Sequence, residues 1–238
     1  METIKQLKTN AHAAGAMYLL IIITGLFSEL FVRQSIIVSG DAAATASNIA
    51  SHSFLFRLGI VSDLVMVMSD VAVALLFYLL LKPVNKGLSL LAAFFRLAQA
   101  TVIGLNLLNY YMPLLILGEG NSFAGFSPEQ LNSMVLLFLN AHNYGYLISG
   151  VFSGVSCVIL GYLLFKAEYF PGWLGILVAA AGASYLIDCF VNFLFPEFAA
   201  SSEILVMTVA VVSELSLCLF LLIKGTNKTS ATVQSQLN

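Results

Sequence analysis

Six long runs of apolar residues, separated by short polar breaks, constrain this chain more than any other feature of its sequence. The runs lie at residues 12–32, 58–81, 88–117, 131–165, 173–195 and 203–223. A run of about twenty residues is long enough to cross the hydrocarbon core of a bilayer as a helix. Because a span in lipid must satisfy its own backbone hydrogen bonds, each run is predicted to be helical. The sequence therefore predicts an all-α, polytopic transmembrane helical bundle of about six spans.

The scarcity of charge supports the same conclusion. Hydrophobic residues make up 60% of the chain and charged residues 9%, whereas an ordinary soluble domain has about 45–50% and about 25%. The net charge is −2 and no basic cluster is present, so a nucleic-acid partner is not expected. The expected partners are the lipid bilayer and a small solute or lipid, and the sequence leaves the oligomeric state open.

The polar breaks contain recognisable helix-capping signals. Ser127-Pro128-Glu129-Gln130 predicts a helix start, with Ser127 as N-cap, proline at the first position and Gln130 closing a capping box. Ser202 is expected to cap the last span. The longest outer connection is predicted at residues 33–57, where Asp41 would cap a short helix over residues 42–51 at the outer surface.

The distribution of cations predicts the orientation of the chain. With the N-terminus inside, Arg33 and Arg57 fall outside and Arg96 lies within a span. The remaining cations then fall inside: Lys5, Lys8, Lys82, Lys86, Lys166, Lys224 and Lys228. This asymmetry follows the positive-inside rule, so both termini are expected in the cytoplasm. The predicted organisation is a cytoplasmic segment at 1–11, a six-helix domain at 12–224 and a disordered cytoplasmic tail at 225–238.

A candidate buried polar layer lies near the middle of the predicted membrane. Asp70, Arg96 and Glu214 are each ten to twelve residues from a lysine that ends or begins their span, which corresponds to a depth of roughly 15–18 Å. Gln99 shares a helical stripe with Arg96. An arginine in hydrocarbon is penalised by ~2.5–3.5 kcal/mol, and pairing with Asp70 or Glu214 would offset much of this. One cation against two carboxylates leaves one acid to be protonated or to face water.

A second polar layer is expected nearer the outside of the membrane. It comprises Glu29, Asp63, His142 and Asp188. The Arg96 layer fits either a structural lock that fixes helix register or a site for a ligand or proton. The polar stripes of both layers fit either a hydrogen-bonded seam of the bundle or the wall of a cavity. His142 fits a hydrogen-bonded packing residue better than a metal ligand, because a zinc site needs several converging ligands. No motif predicts a catalytic residue, a metal site or a cofactor.

Small residues recur at close spacing on two of the runs. Gly150, Gly154 and Gly161 lie on the fourth run, and Gly175 and Gly182 lie on the fifth. Small residues at such spacing allow helix backbones to approach closely in a membrane. We therefore expect both faces to pack inside the bundle, with dimerisation as the alternative use.

Several local motifs resemble one known family. They are Gly40-Asp41 with Thr45 and Asn48-Ile49; Leu55-Phe56-Arg57-Leu58-Gly59-Ile60 with Asp63-Leu64; Leu81-Lys82-Pro83-Val84-Asn85 with Leu90-Leu91-Ala92 and Arg96; and Leu160-Gly161-Tyr162-Leu163 with Pro171 and Leu174-Gly175. Together they resemble the prokaryotic multipass membrane family catalogued as domain of unknown function 4386, over residues 12–224. The resemblance implies this architecture and a bacterial-type inner membrane. It implies no activity and no catalytic residues.

Three functions remain open from the sequence. The favoured one is a transport or sensing module whose small solute or proton meets the Arg96 layer. The second is an intramembrane enzyme acting on lipid, in which His142 works with Asp63 or Asp188. The third is a structural, immunity or regulatory membrane protein that acts through a partner.

Overall fold

The computed structural model describes residues 2–118, 123 and 125–226 of the chain. Every regular element in these residues is helical, and no strand occurs among them. The predicted all-α class is therefore confirmed. Residues 227–238, most of the predicted disordered tail, lie outside the described residues.

The helices follow one another with short connections. Helix α1 (Glu2–Leu26) continues through a π-helical segment (Phe27–Arg33) into α2 (Gln34–Ile36). The next elements are α3 (Ala42–Ser51), α4 (Ser53–Leu81), α5 (Lys86–Leu117) and α6 (Pro128–Lys166). The last are α7 (Gly172–Leu194), a 3-10 turn (Pro196–Phe198) and α8 (Ala199–Ile223).

Six helical stretches among the described residues are long and apolar enough to cross a membrane. They are Lys5–Ile36, Ser53–Leu81, Lys86–Leu117, Pro128–Lys166, Gly172–Leu194 and Pro196–Ile223. The predicted number of spans is confirmed, but the helices extend into their polar flanks. Helix α1 begins at Glu2, so the predicted N-terminal segment is helical, and α4 begins at Ser53 inside the predicted outer connection.

Two of the three predicted caps are present. The Asp41 carboxylate accepts a hydrogen bond from the Ala44 backbone at 2.9 Å and caps α3. Ser127 and Gln130 form the predicted capping box, with reciprocal bonds of 2.8 and 3.3 Å. The prediction for Ser202 is wrong. Helix α8 begins earlier, at Ala199, because the 3-10 turn already redirects the chain, and the Ser202 hydroxyl donates to Asp188 instead.

The chain divides into two compact units. Unit 1 comprises Met1–Leu19, Ser69–Ala100 and Leu147–Asn238. Its helices α6 and α7 pack with their backbones in close contact: a Cβ added to Gly182 would lie 2.7 Å from the Gly154 carbonyl oxygen. The small residues of both helices therefore pack inside the protein, and the structure shows that they pack against each other.

Unit 2 comprises Leu20–Met68 and Thr101–Tyr146. Its apolar core contains Val32, Ile36, Ile49, Phe56, Ile60, Leu107, Tyr110, Leu114, Ile116, Val135 and Leu139. The short helix α3 contributes Ile49 to this core. Its Thr45 hydroxyl donates to the Val38 carbonyl oxygen at 3.1 Å, and its Asn48 amide donates to the Ile36 carbonyl oxygen at 3.0 Å. These bonds anchor α3 on the core of unit 2.

Candidate functional site

The predicted mid-membrane layer forms one cluster inside unit 1, which we call the Arg96 cluster. Its members come from five helices: Tyr18 (α1), Asp70 (α4), Arg96 and Gln99 (α5), Tyr185 (α7) and Glu214 (α8). All four side chains predicted for this layer are thus brought together. The two tyrosines join them only through the tertiary fold.

Arg96 pairs with Asp70 rather than with Glu214. The Arg96 Nη2–H donates to Asp70 Oδ1 over 2.6 Å, and the two side chains are 7% and 3% exposed. Gln99 donates to the other Asp70 oxygen at 3.4 Å. The guanidinium carbon lies 5.4 Å from the centroid of the Tyr18 ring, a distance at which cations and aromatic faces attract. The cation is therefore held by one carboxylate and one ring.

Glu214 has a different kind of partner. Its Oε1 accepts a hydrogen bond of 2.7 Å from the Tyr185 hydroxyl. Electrostatic interactions also couple the carboxyl to Arg96 and Asp70. Among the described residues, the ion pairs within 4.0 Å involve Arg33 or Arg96 and do not include Glu214. The sequence analysis counted two carboxylates for one cation in this layer. Glu214 is therefore the carboxyl without an ion-pair partner among the described residues.

A second charged cluster lies in unit 2 and is centred on Arg33; we call it the Arg33 cluster. It comprises Ser28, Glu29, Arg33, Asp63, Tyr110 and Tyr146. The sequence analysis placed Arg33 in an outer loop, and this is wrong: the residue ends the π-helical segment and its side chain is only 10% exposed. Its four-residue spacing from Glu29 was the available signal.

Arg33 is bonded to both acids of its cluster. The Arg33 Nε–H donates to Glu29 Oε2 over 2.7 Å, and Nη1–H donates to Asp63 Oδ2 over 2.8 Å and to the Ser28 hydroxyl over 3.0 Å. The guanidinium carbon lies 5.6 Å from the Tyr110 ring centroid and 5.3 Å from that of Tyr146. A π-helical turn brings residues five apart to the same face, which explains the bond to Ser28.

His142 packs against the tyrosines of the Arg33 cluster. Its ring is 1% exposed, and the centroids of Tyr110 and Tyr146 lie 4.8 and 5.0 Å from its own. Its Nδ1 lies 3.2 Å from the Asn106 carbonyl oxygen, and the Asn106 amide donates to the His142 carbonyl oxygen at 2.7 Å. Within the described residues, no group of three or more His, Cys, Asp or Glu side chains is arranged to hold a metal ion.

Asp188 completes the predicted outer layer but belongs to unit 1. Its Oδ1 accepts hydrogen bonds from Ser202 at 2.7 Å and from Asn192 at 3.0 Å. The structure thus joins Glu29 and Asp63 through Arg33 and stacks His142 on the same cluster. Asp188 has separate partners near the end of α7.

The comparison with family models identifies the chain. The model described as domain of unknown function (DUF4386) matches residues 13–225, which include both charged clusters. The chain belongs to this family. An uncharacterized protein of Archaeoglobus fulgidus is 29% identical to this DUF4386 protein over 134 residues, covering 56% of this chain and 67% of that protein. No solved structure matches.

This DUF4386 protein is an integral membrane protein, since its family match covers six helices of spanning length. Sequence reasoning found Asp70, Arg96 and Glu214 from their depth in the spans, and Gln99 from the helical stripe that it shares with Arg96. It missed Tyr18 and Tyr185, because a tyrosine in an apolar run is indistinguishable from packing until its neighbours are known. It also missed the role of Arg33, which lies at the edge of the first apolar run.

Proposed function

We propose that this protein is a proton-binding membrane module, working in transport or sensing, and that its proton site is Glu214 in the Arg96 cluster. One observation carries the proposal: the Glu214 carboxyl is bonded to the Tyr185 hydroxyl, while the nearby cation, Arg96, is paired with Asp70. The cluster therefore contains a carboxyl in mid-span whose charge no bonded cation cancels.

The charges of the Arg96 cluster favour the interpretation that one of its groups changes its protonation state. Arg96 and Asp70 cancel each other, so an ionised Glu214 leaves a net negative charge within a span, where isolated charge is costly. Binding a proton removes this charge. The Tyr185 hydroxyl suits both states, because it donates to a carboxylate and accepts from a protonated carboxyl.

The space around the cluster favours a proton over an organic solute. The cavity that borders Arg96 has a volume of about 10 Å³, which is room for one water molecule. A solute would need a pocket of roughly 300 Å³ or more. In this conformation the cluster accommodates a proton and a water.

We further propose the orientation given by the positive-inside rule, with both termini in the cytoplasm, and residence in a bacterial-type inner membrane. The cations at the ends of α4, α5, α6 and α8 support the orientation. A cysteine-accessibility map at exposed positions such as Lys86 and Ser51 would test it, with labelling from opposite sides expected.

The test of the proton site is infrared spectroscopy of the protein in lipid vesicles at a series of pH values. The carbonyl stretch of a protonated carboxyl is resolved from that of a carboxylate, so a titrating buried acid gives a band that changes with pH. We expect such a band in the wild type and its loss in Glu214→Gln. Glu203→Gln is the matched control, because Glu203 is an exposed acid on the same helix.

A spectrum in which Glu214→Gln removes no titrating band would refute the proposed site. If the band is present, vesicles containing a pH-sensitive dye distinguish the two modes of action. Proton flux that exceeds that of protein-free vesicles and is lost in Glu214→Gln indicates transport. Titration without flux indicates sensing.

The other two hypotheses from the sequence receive no specific support. An enzyme built on His142 needs an imidazole that a substrate can reach, whereas this ring is enclosed by two tyrosine rings. Action through a protein partner becomes the leading alternative if Glu214 does not titrate.

A further inference from the structure

A narrow cleft leads away from Arg96 within unit 1. It is formed by one face of each of three helices: Ala74, Phe77 and Leu81 on α4; Ser89, Ala92, Ala93 and Arg96 on α5; and Ser156, Leu160 and Leu163 on α6. Along α5 it extends from Arg96 to Ser89, seven residues, or roughly 10 Å of helix. Ser89 is only three residues from the start of α5, so the cleft approaches the end of the helix.

The inner end of the cleft has an unused hydrogen-bond donor. Arg96 is 6% exposed, and its Nε–H has no hydrogen-bond partner in the described structure. A buried donor without a partner costs about 1–3 kcal/mol, and a bound water removes that cost. The cavity volume of about 10 Å³ matches one water molecule. A water bound in this cavity beside Arg96 would satisfy the free donor.

Two serines provide further polar groups along the cleft. The Ser89 hydroxyl donates to the Tyr78 carbonyl oxygen at 3.1 Å, and the Ser156 hydroxyl donates to the Ala92 carbonyl oxygen at 2.9 Å. Each oxygen keeps lone pairs that can accept a hydrogen bond from water. Alanine at positions 74, 92 and 93 leaves space between the helices.

A second, open depression lies among residues that follow α4 and residues of the last turn of α6. It has a volume of about 370 Å³ and is lined by Pro83, Val84, Asn85, Tyr162 and Lys166. On α6, Tyr162 is the neighbour of the cleft residue Leu163. On the chain that follows α4, Pro83 is two residues beyond the cleft residue Leu81. The linings of the depression and of the cleft are therefore close in sequence, at the lysine-rich end of unit 1.

We propose that water reaches the Arg96 cluster from this depression, through the cleft between α4, α5 and α6. By this route the cluster exchanges protons with the side of the membrane on which α4 ends and α5 begins. The water route stands on the cavity and the unpaired Arg96 nitrogen. Its use by protons rests on the function proposed above.

The water route is tested by X-ray hydroxyl-radical footprinting of the wild-type protein in lipid vesicles, which modifies side chains next to water. The chain offers matched controls, because Leu80, Leu81, Leu163 and Leu164 are all fully buried and only Leu81 and Leu163 line the cleft. We expect Leu81 and Leu163 to be modified several-fold faster than Leu80 and Leu164. Equal rates within each pair would overturn the route.

The use of the route by protons is tested with a variant that fills the cleft. Ala93→Val adds two methyl groups at a lining position, and Ala100→Val adds the same volume at a buried position of α5 outside the cleft. After a pH jump, the Glu214 infrared band should respond several-fold more slowly in Ala93→Val than in Ala100→Val. Equal response would show that protons use another path. Absence of the band in the wild type would refute the proton site and leave the footprinting result valid.

Discussion

The Arg96 cluster and the Arg33 cluster are built from the same parts but differ in how the charges are satisfied. In each, a buried arginine bonds an aspartate of α4, lies over at least one tyrosine ring and has a glutamate nearby. Arg33 bonds its glutamate directly, at 2.7 Å. In the Arg96 cluster the glutamate bonds a tyrosine hydroxyl instead.

This difference is the basis on which we propose a structural role for one cluster and proton binding for the other. All three charged side chains of the Arg33 cluster are held in ion pairs, so changing the charge of any one of them breaks a bond. In the Arg96 cluster, Glu214 can gain or lose a proton while the Arg96–Asp70 pair stays intact. We therefore regard the Arg33 cluster as a lock that fixes unit 2, and the Arg96 cluster as the site that titrates.

Replacing the locking arginine should have the largest effect. Arg33→Met leaves Asp63, whose side chain is 0% exposed, buried without its cation. We expect the free energy of unfolding to fall by about 3–5 kcal/mol, measured by reversible denaturation in mixed micelles. Arg57→Met, at an exposed position of α4, is the control and should stay within about 0.5 kcal/mol of the wild type. Equal stability of the two variants would show that Arg33 is not a lock.

Crowding the Arg33 cluster should have a smaller effect. A Cβ at Gly59 would lie 2.9 Å from a Val32 methyl and 3.1 Å from the Tyr110 hydroxyl. Gly59→Ala should therefore lower the unfolding free energy by about 1–3 kcal/mol. Gly104→Ala is the control, since its Cβ would meet Val67 at a comfortable 3.7 Å, and it should gain about 0.5–1 kcal/mol from helix propensity. A gain in unfolding free energy in both variants would mean that the side chains of the Arg33 cluster move aside to accommodate the added methyl group.

Removing one hydroxyl from each cluster compares their hydrogen bonds. Tyr185→Phe deletes the bond to Glu214 and should cost about 0.5–1.5 kcal/mol and shift the pH at which the Glu214 infrared band appears. The Tyr110 hydroxyl has no hydrogen-bond partner in the described structure. Tyr110→Phe should therefore stay within about 0.5 kcal/mol of the wild type and leave the band unchanged. The same spectral shift in both would remove the distinction between the clusters.

Neutralising the second acid of the lock should have the smallest effect. The Glu29 side chain is 44% exposed, so Glu29→Gln should cost less than about 1 kcal/mol. The infrared titration of Glu214 should be unaffected. Loss of a titrating band in Glu29→Gln would mean that the Arg33 cluster also binds a proton.

Local sequence patterns were sufficient to predict most of the helices of the fold. The apolar runs determined the spans because lipid forces each of them to be helical, and Asp41 and Ser127 determined two helix starts because a cap bonds only to its own first turn. The failure at Ser202 has a local cause as well. The 3-10 turn that starts at Pro196 leads into the helix upstream of Ser202. Ser202 therefore lies inside the helix and cannot serve as its N-cap.

The sequence alone also determined that Arg96 needed a carboxylate at its depth in the membrane, since a single cation in hydrocarbon is too costly. Only the tertiary structure decided that Asp70 is the partner and that Glu214 faces Tyr185. It also decided that Arg33 is buried, because the π-helical segment changes the residue spacing that brings side chains to one face. Helical period and depth are local properties of one segment, whereas the partner of a side chain depends on how neighbouring helices are rotated about their axes.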